Sequence, residues 1–173
     1  LLLCVIPGTL GIASPIAGIL SDRFGSRYIS TFGLIIVLFG FYTASTLAAD
    51  TTIPGYILRL LPLGLGMGLF QSPNNSAIMG AVPKHHLGIA SGMISVSRTL
   101  GQTIGTSVLG TIWAGRVFYH VGKVHPEGAT KSPEFAQILA LQETFWITIA
   151  LIFGCIALSI WKLFLQNEST NSS

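Results

Sequence analysis

Gly18-Ile19-Leu20-Ser21-Asp22-Arg23-Phe24-Gly25-Ser26-Arg27 places three charged residues and two glycines directly after an apolar run. Charge is scarce elsewhere: only 9% of the 173 residues are charged, 50% are hydrophobic, and mean hydropathy is +0.69. A soluble domain carries about a quarter charged residues, so this chain lacks the means to clothe itself for water. Its natural solvent is a bilayer, in which each crossing segment must satisfy its own backbone as helix or closed barrel. Strand-like alternation is missing and the apolar runs are roughly twenty residues long, which suits helices. The expected class is an all-α membrane protein.

Working outward from the charged turn, five spans are expected, at roughly residues 1–20, 28–49, 55–82, 87–118 and 143–165, with a polar, disordered tail over 166–173. Three short links, Ser21–Arg27, Asp50–Pro54 and Pro83–His86, force neighbouring helices to run antiparallel. A longer polar link, Tyr119–Gln142, contains Ser132-Pro133-Glu134, which reads as a helix start with Ser132 as N-cap. Phe135–Leu141 then forms a short interfacial helix or extends the fifth span. The chain opens inside an apolar run without an initiator Met, so an N-terminal part is expected to precede it.

Arg23, Arg27, Lys84 and Lys162 fall on one side of this arrangement, and Arg116, Lys123 and Lys131 on the other, with Asp50, Glu127, Glu134 and Glu143. The bias places the charged turn and the C-terminus in the cytoplasm. Trp146 and Trp161, fifteen residues apart, sit about 22 Å from each other on a helix, near two interfaces. Cys4 and Cys155 read as small buried hydrophobes. The net charge of +3 and the lack of a basic run exclude nucleic acid as a partner. No nucleophile–base pair, phosphate cradle or metal-ligand cluster stands out, so neither an enzyme nor a cofactor or metal site is expected.

Asp22, the arginines and the flanking glycines look like a latch between rigid bodies. Gly18-x-Leu20-Ser21-Asp22-Arg23-Phe24-Gly25-x-Arg27 resembles the cytoplasmic loop motif of the major facilitator superfamily, G-x-L-[AS]-D-R-[FY]-G followed by two basic residues. Ser26 replaces the first of those two, which weakens the charge latch. Gly64-x-Gly66-x-Gly68 through Pro73, Val82-Pro83, Gly88-x-Ala90-Ser91-Gly92 and Arg98-x-x-Gly101-x-x-x-Gly105 extend the resemblance to the fourteen-helix drug:proton antiporter branch. The resemblance implies that the five transmembrane helices form most of the C-terminal half of a major facilitator fold. It further implies a multi-pass protein of the cytoplasmic (plasma) membrane that exports amphipathic, often cationic small molecules by alternating access. Protons, the bilayer and the missing N-terminal half would be its partners. Gly18, Leu20, Asp22, Arg23, Gly25 and Arg27 would form the gating turn.

On the third span, Gly64, Gly68, Gln71 and Asn75 share a stripe about 60° wide, flanked by Asn74, beside a helix break at Pro73. These amides line a cavity or serve as interhelical glue, and Gly64 and Gly68 are expected to serve helix packing. On the fourth, Gly88, Gly92, Ser95, Thr99, Thr103, Thr106 and Gly110 form a small-residue face for close packing, with Gly101 and Gly105 nearby. Arg98 lies eleven residues into that span, roughly 16 Å deep, as a cavity residue or a structural anchor, with Gln102 one turn beyond. Arg59 reads as structural, snorkelling from an outer end. All carboxylates fall in links, at span edges or in the tail, and His85, His86, His120 and His125 fall in links. Any proton-carrying acid should therefore belong to the absent part. A metabolite permease of the same superfamily, or a truncated subunit without transport of its own, would carry the same turn.

Overall fold

The computed structural model describes residues 4–48, 51–122 and 128–171, with the side chains of residues 160 and 162–171 left aside. Residues 1–3, Ala49, Asp50, Lys123, His125, Glu127 and residues 172–173 lie outside the described residues, as does the side chain of Lys162. Among the described residues five helices follow one another: α1 (Val5–Phe24), α2 (Ser26–Ser45), α3 (Ile53–Gly80), α4 (Leu87–Val121) and α5 (Glu134–Asn171). Single 3-10 turns at Lys84–His86 and Ala129–Lys131 precede α4 and α5. Four helices, α1, α2, α3 and α5 over Glu134–Ser159, are long and apolar enough to cross a membrane. α4 is longer than any of the first three, but too polar to qualify by composition alone.

Several details differ from the sequence reading. The first link is one residue, because α1 continues through Phe24 and α2 starts at Ser26. Pro73 does not break α3, which runs unbroken from Ile53 through both Pro62 and Pro73. Phe135–Leu141 belongs to α5, and the same helix continues through Asn171 where a disordered tail is expected. Ser132 is not a side-chain cap: its hydroxyl is buried and has no hydrogen-bond partner among the described residues. Gln137 Nε2 instead bonds the carbonyls of Ser132 at 2.7 Å and Thr130 at 3.1 Å, securing the entry to α5. Cys4 and Cys155 are free and exposed rather than buried.

α3 packs closely on both α1 and α2, whereas α5 packs on α2 and α4. Glycine makes the α3 contacts possible. A Cβ on Gly66 would stand 2.6 Å from the Val37 nitrogen, and one on Gly33 would stand 2.6 Å from that of Phe70. On the α1 side, Gly64 lies against Thr9, and a Cβ on Gly68 would come within 2.7 Å of the Ala13 Cβ. Lipid supplies no hydrophobic drive between helices, so this close backbone approach and interhelical hydrogen bonds must hold the bundle. Thr43 Oγ1 bonds the Arg59 carbonyl at 2.8 Å, and Arg59 Nε bonds Thr46 Oγ1 at 3.0 Å, joining the ends of α2 and α3. Thr31 and Ser159 hydroxyls meet at 2.8 Å between α2 and α5. Large apolar residues such as Ile12, Ile19, Phe32, Phe39 and Leu58 stay exposed on the outside, as a lipid-facing surface requires.

Much of α4 stands apart. A Cβ on Gly88, Gly92, Gly101, Gly105 or Gly110 would meet nothing within 4 Å, so the small-residue face expected to pack has no described helix against it. Most of its hydroxyls are satisfied within the helix. Ser95, Thr99, Thr103, Thr106 and Thr111 each donate to the carbonyl four residues earlier, at 2.8 to 3.0 Å. Such back-bonding removes the cost of placing hydroxyls in hydrocarbon. Gly122, in the left-handed region at φ 75°, ends the helix with its N–H on Phe118 and Tyr119 carbonyls.

Candidate functional site

A cleft of about 680 Å³ opens between α2, α3 and α4. Its wall is mainly apolar, with Val37, Met67, Phe70 and Met93 among its members, and Gln71, Asn74, Asn75 and Arg98 supply most of its polarity. The cleft exists because the glycines hold α3 against α1 and α2 while α4 meets α3 at few points. Gln71, Asn74 and Asn75 are half-buried on α3; Arg98 is exposed and reaches across from α4. Its Nη2 donates to Asn75 Oδ1 at 3.3 Å. Asn75 and Arg98 also border a smaller cavity of about 240 Å³ on the α4 side, so their hydrogen bond forms a bridge with open space on either hand. An apolar chamber with a few convergent polar groups is the usual form of a small-molecule site. Gly64 and Gly68 turn away from the cleft towards α1, and Gln102 is exposed beyond it.

At one end of the bundle, α1 and α2 meet at Gly25, with φ 91° and ψ 138°. Only glycine adopts that conformation without strain, and the Gly25 N–H closes α1 on the Ser21 carbonyl at 2.9 Å. Reversing the chain on one residue puts Asp22, Arg23 and Arg27 on the surface together. None of their side chains makes a hydrogen bond or ion pair with a described residue. Gly18 lies beside the Ser72 side chain of α3, and Leu20 is half-buried, so this side of the motif rests on the bundle. His85 and His86 are exposed at the same end, with ring centroids 4.0 Å apart.

At the opposite end is a cluster the sequence reading missed. Arg116 of α4 donates through Nε and Nη2 to Glu143 Oε2 and Oε1 of α5, at 2.5 and 2.7 Å. His120 Nε2 lies 3.1 Å from the same Oε2, and the Arg116 guanidinium sits 4.9 Å from the centre of the Tyr119 ring. The reading leaves Glu143 at a span edge and His120 in a solvated link. Both lie within helices and are partly buried, because α4 continues to Val121 and α5 begins at Glu134. The available signal was Arg116 and His120 four residues apart, a spacing that shares one helix face.

A transmembrane bundle with a glycine-reversed charged turn and an amphipathic cleft can be compared with known families. The family model described as Major Facilitator Superfamily matches residues 1–173. The chain belongs to the major facilitator superfamily. It is 29% identical over 157 residues to the riboflavin transporter RibZ of Clostridioides difficile, covering 91% of this chain and 33% of that protein. It is 31% identical over 132 residues to the multidrug efflux pump LfrA of Mycolicibacterium smegmatis, covering 74% of this chain and 25% of the pump. A triacylglyceride transporter of Mycobacteroides abscessus is 36% identical over 120 residues, covering 64% of this chain and 23% of the relative. The chain therefore spans a third or less of the length of these relatives. This major facilitator chain is an all-α integral membrane fragment.

Proposed function

We propose that the chain is the C-terminal part of a secondary multidrug exporter that works by alternating access, in which proton entry drives the expulsion of amphipathic, often cationic compounds. The observation that carries this reading is the cleft, whose apolar walls suit varied hydrophobic bodies while the neutral amides of Gln71, Asn74 and Asn75 offer hydrogen bonds and the Arg98 guanidinium is engaged by Asn75. The similarity to LfrA supports the export reading. In this reading the turn from Gly18 to Arg27 gates. Asp22 and the arginines, uncommitted among the described residues, pair with the other half in one closed state and release it in the other. The turn and the C-terminus face the cytoplasm, and the open glycine face of α4 forms the seam with the other half.

The test is transport by the full-length protein in proteoliposomes under an imposed proton gradient. Asn75→Ala removes the acceptor that holds Arg98, and the relative rates for a panel of amphipathic dyes should change while helical content and yield remain as in the parent. An unchanged dye spectrum would make the amides interhelical glue. The similarity to RibZ favours a second reading, a metabolite permease built on the same gate. That reading predicts saturable movement of one metabolite and no dye export.

A further inference from the structure

A third cavity, of about 260 Å³, lies between α2, α3 and α5 towards the end that carries the Gly25 turn. Leu34, Phe70 and Asn74 line both this cavity and the main cleft and form the partition between them. The remaining wall consists of Ser26, Arg27 and Ser30 from α2, Ala77 from α3 and Ser159 from α5. The side chains of Ser26, Arg27, Ser30 and Asn74 make no hydrogen bond or ion pair with any described residue. Ser159 is held by the Thr31 hydroxyl at 2.8 Å and keeps further hydrogen-bonding capacity. Four uncommitted polar side chains from two helices thus converge on one space, and one of them is a guanidinium.

The charge there is positive. Arg23 and Arg27 outnumber Asp22 in the turn, exposed Lys84 lies at the same end, and no acid stands in the first turn of α2. A guanidinium fork beside hydroxyl and amide donors matches the several oxygens of a phosphate. Along the same stretch α2 exposes Tyr28, Phe32 and Ile35, an apolar surface for hydrocarbon. We propose that this cavity binds the phosphate of an anionic phospholipid head group, with Arg27 as the charge partner and Ser26, Ser30 and Asn74 as donors. An occupant would also fix Asn74, one of the amides facing the cleft. The proposal depends on the chain's place in a bilayer and stands apart from what the transporter carries.

The experiment uses the full-length protein with native cysteines replaced and Ser30→Cys added, reconstituted in nanodiscs of phosphatidylcholine alone or mixed with phosphatidylglycerol. Labelling of the introduced thiol by a neutral maleimide should slow severalfold in the phosphatidylglycerol discs. Arg27→Gln should abolish the slowing, and Lys84→Gln should leave it. Inorganic phosphate added to phosphatidylcholine discs separates the sources: protection there, without protection by phosphatidylglycerol, would overturn the lipid assignment in favour of a soluble phosphate. Equal labelling in all discs, or slowing that survives Arg27→Gln, would overturn the site itself. Native mass spectrometry of the protein without Ser30→Cys gives a second readout, in which Arg27→Gln should reduce retained phosphatidylglycerol. Unchanged retention would also count against the site.

Discussion

Single residues set two features of this chain. Gly25 sits at φ 91° and ψ 138°, so Gly25→Ala would force a side chain into a region almost reserved for glycine. It should cost about 1–3 kcal/mol, read as a lowered midpoint of thermal unfolding in detergent. Gly122→Asn should be tolerated, because the left-handed region at φ 75° accepts asparagine at a helix end. Glu143 takes both arms of Arg116 and also faces His120. Glu143→Gln should therefore lower thermal stability. Because both changes break one pair, Arg116→Gln combined with Glu143→Gln should destabilise by less than the sum of the single changes. Additive effects in the double variant would show that the pair does not hold α4 to α5. This cluster was hard to read from sequence because its partners lie 27 and 23 residues apart on different helices. Their meeting depends on helix rotation and on where each helix starts, which hydropathy leaves open.

Among elements, α3 and α4 use glycine in opposite ways. Gly66→Leu would drive a side chain into the α2 backbone around Val37, and overpacking of this kind typically costs about 1–3 kcal/mol. Gly92→Leu meets open space in this chain and should leave its folding unchanged. If α4 forms the seam with the other half, Gly92→Leu should still impair transport by the full-length protein. Normal transport with Gly92→Leu would remove that seam. The apolar runs made the helices legible, and the glycines of α3 signalled close packing. Sequence could not tell a packed glycine face from an open one, since Gly64 and Gly88 look alike until a neighbour is known. The short first link was legible as a tight reversal, but the persistence of helix through Phe24 was not, because charged residues at a helix end are compatible with both helix and loop.

At the scale of the whole molecule, the proposed function puts gating at the charged turn and cargo in the cleft, two different places. Asp22→Asn in the full-length protein should reduce turnover while leaving cargo affinity largely intact, as measured by initial transport rates and equilibrium dye binding. Matched losses in both, in a correctly folded protein, would argue against a latch. Gln71, Asn74, Asn75 and Arg98 were singled out from helix phase and depth, and the fold brings them to one cleft; the apolar wall from α2 was not foreseeable because it needs the α2–α3 glycine contacts. The hydroxyls of Ser95, Thr99 and Thr103, each turned onto its own helix α4, carry one more implication. If a neighbouring lobe meets this stretch, it would have no bond to these hydroxyls to rupture, and α4 would serve there as a low-friction bearing.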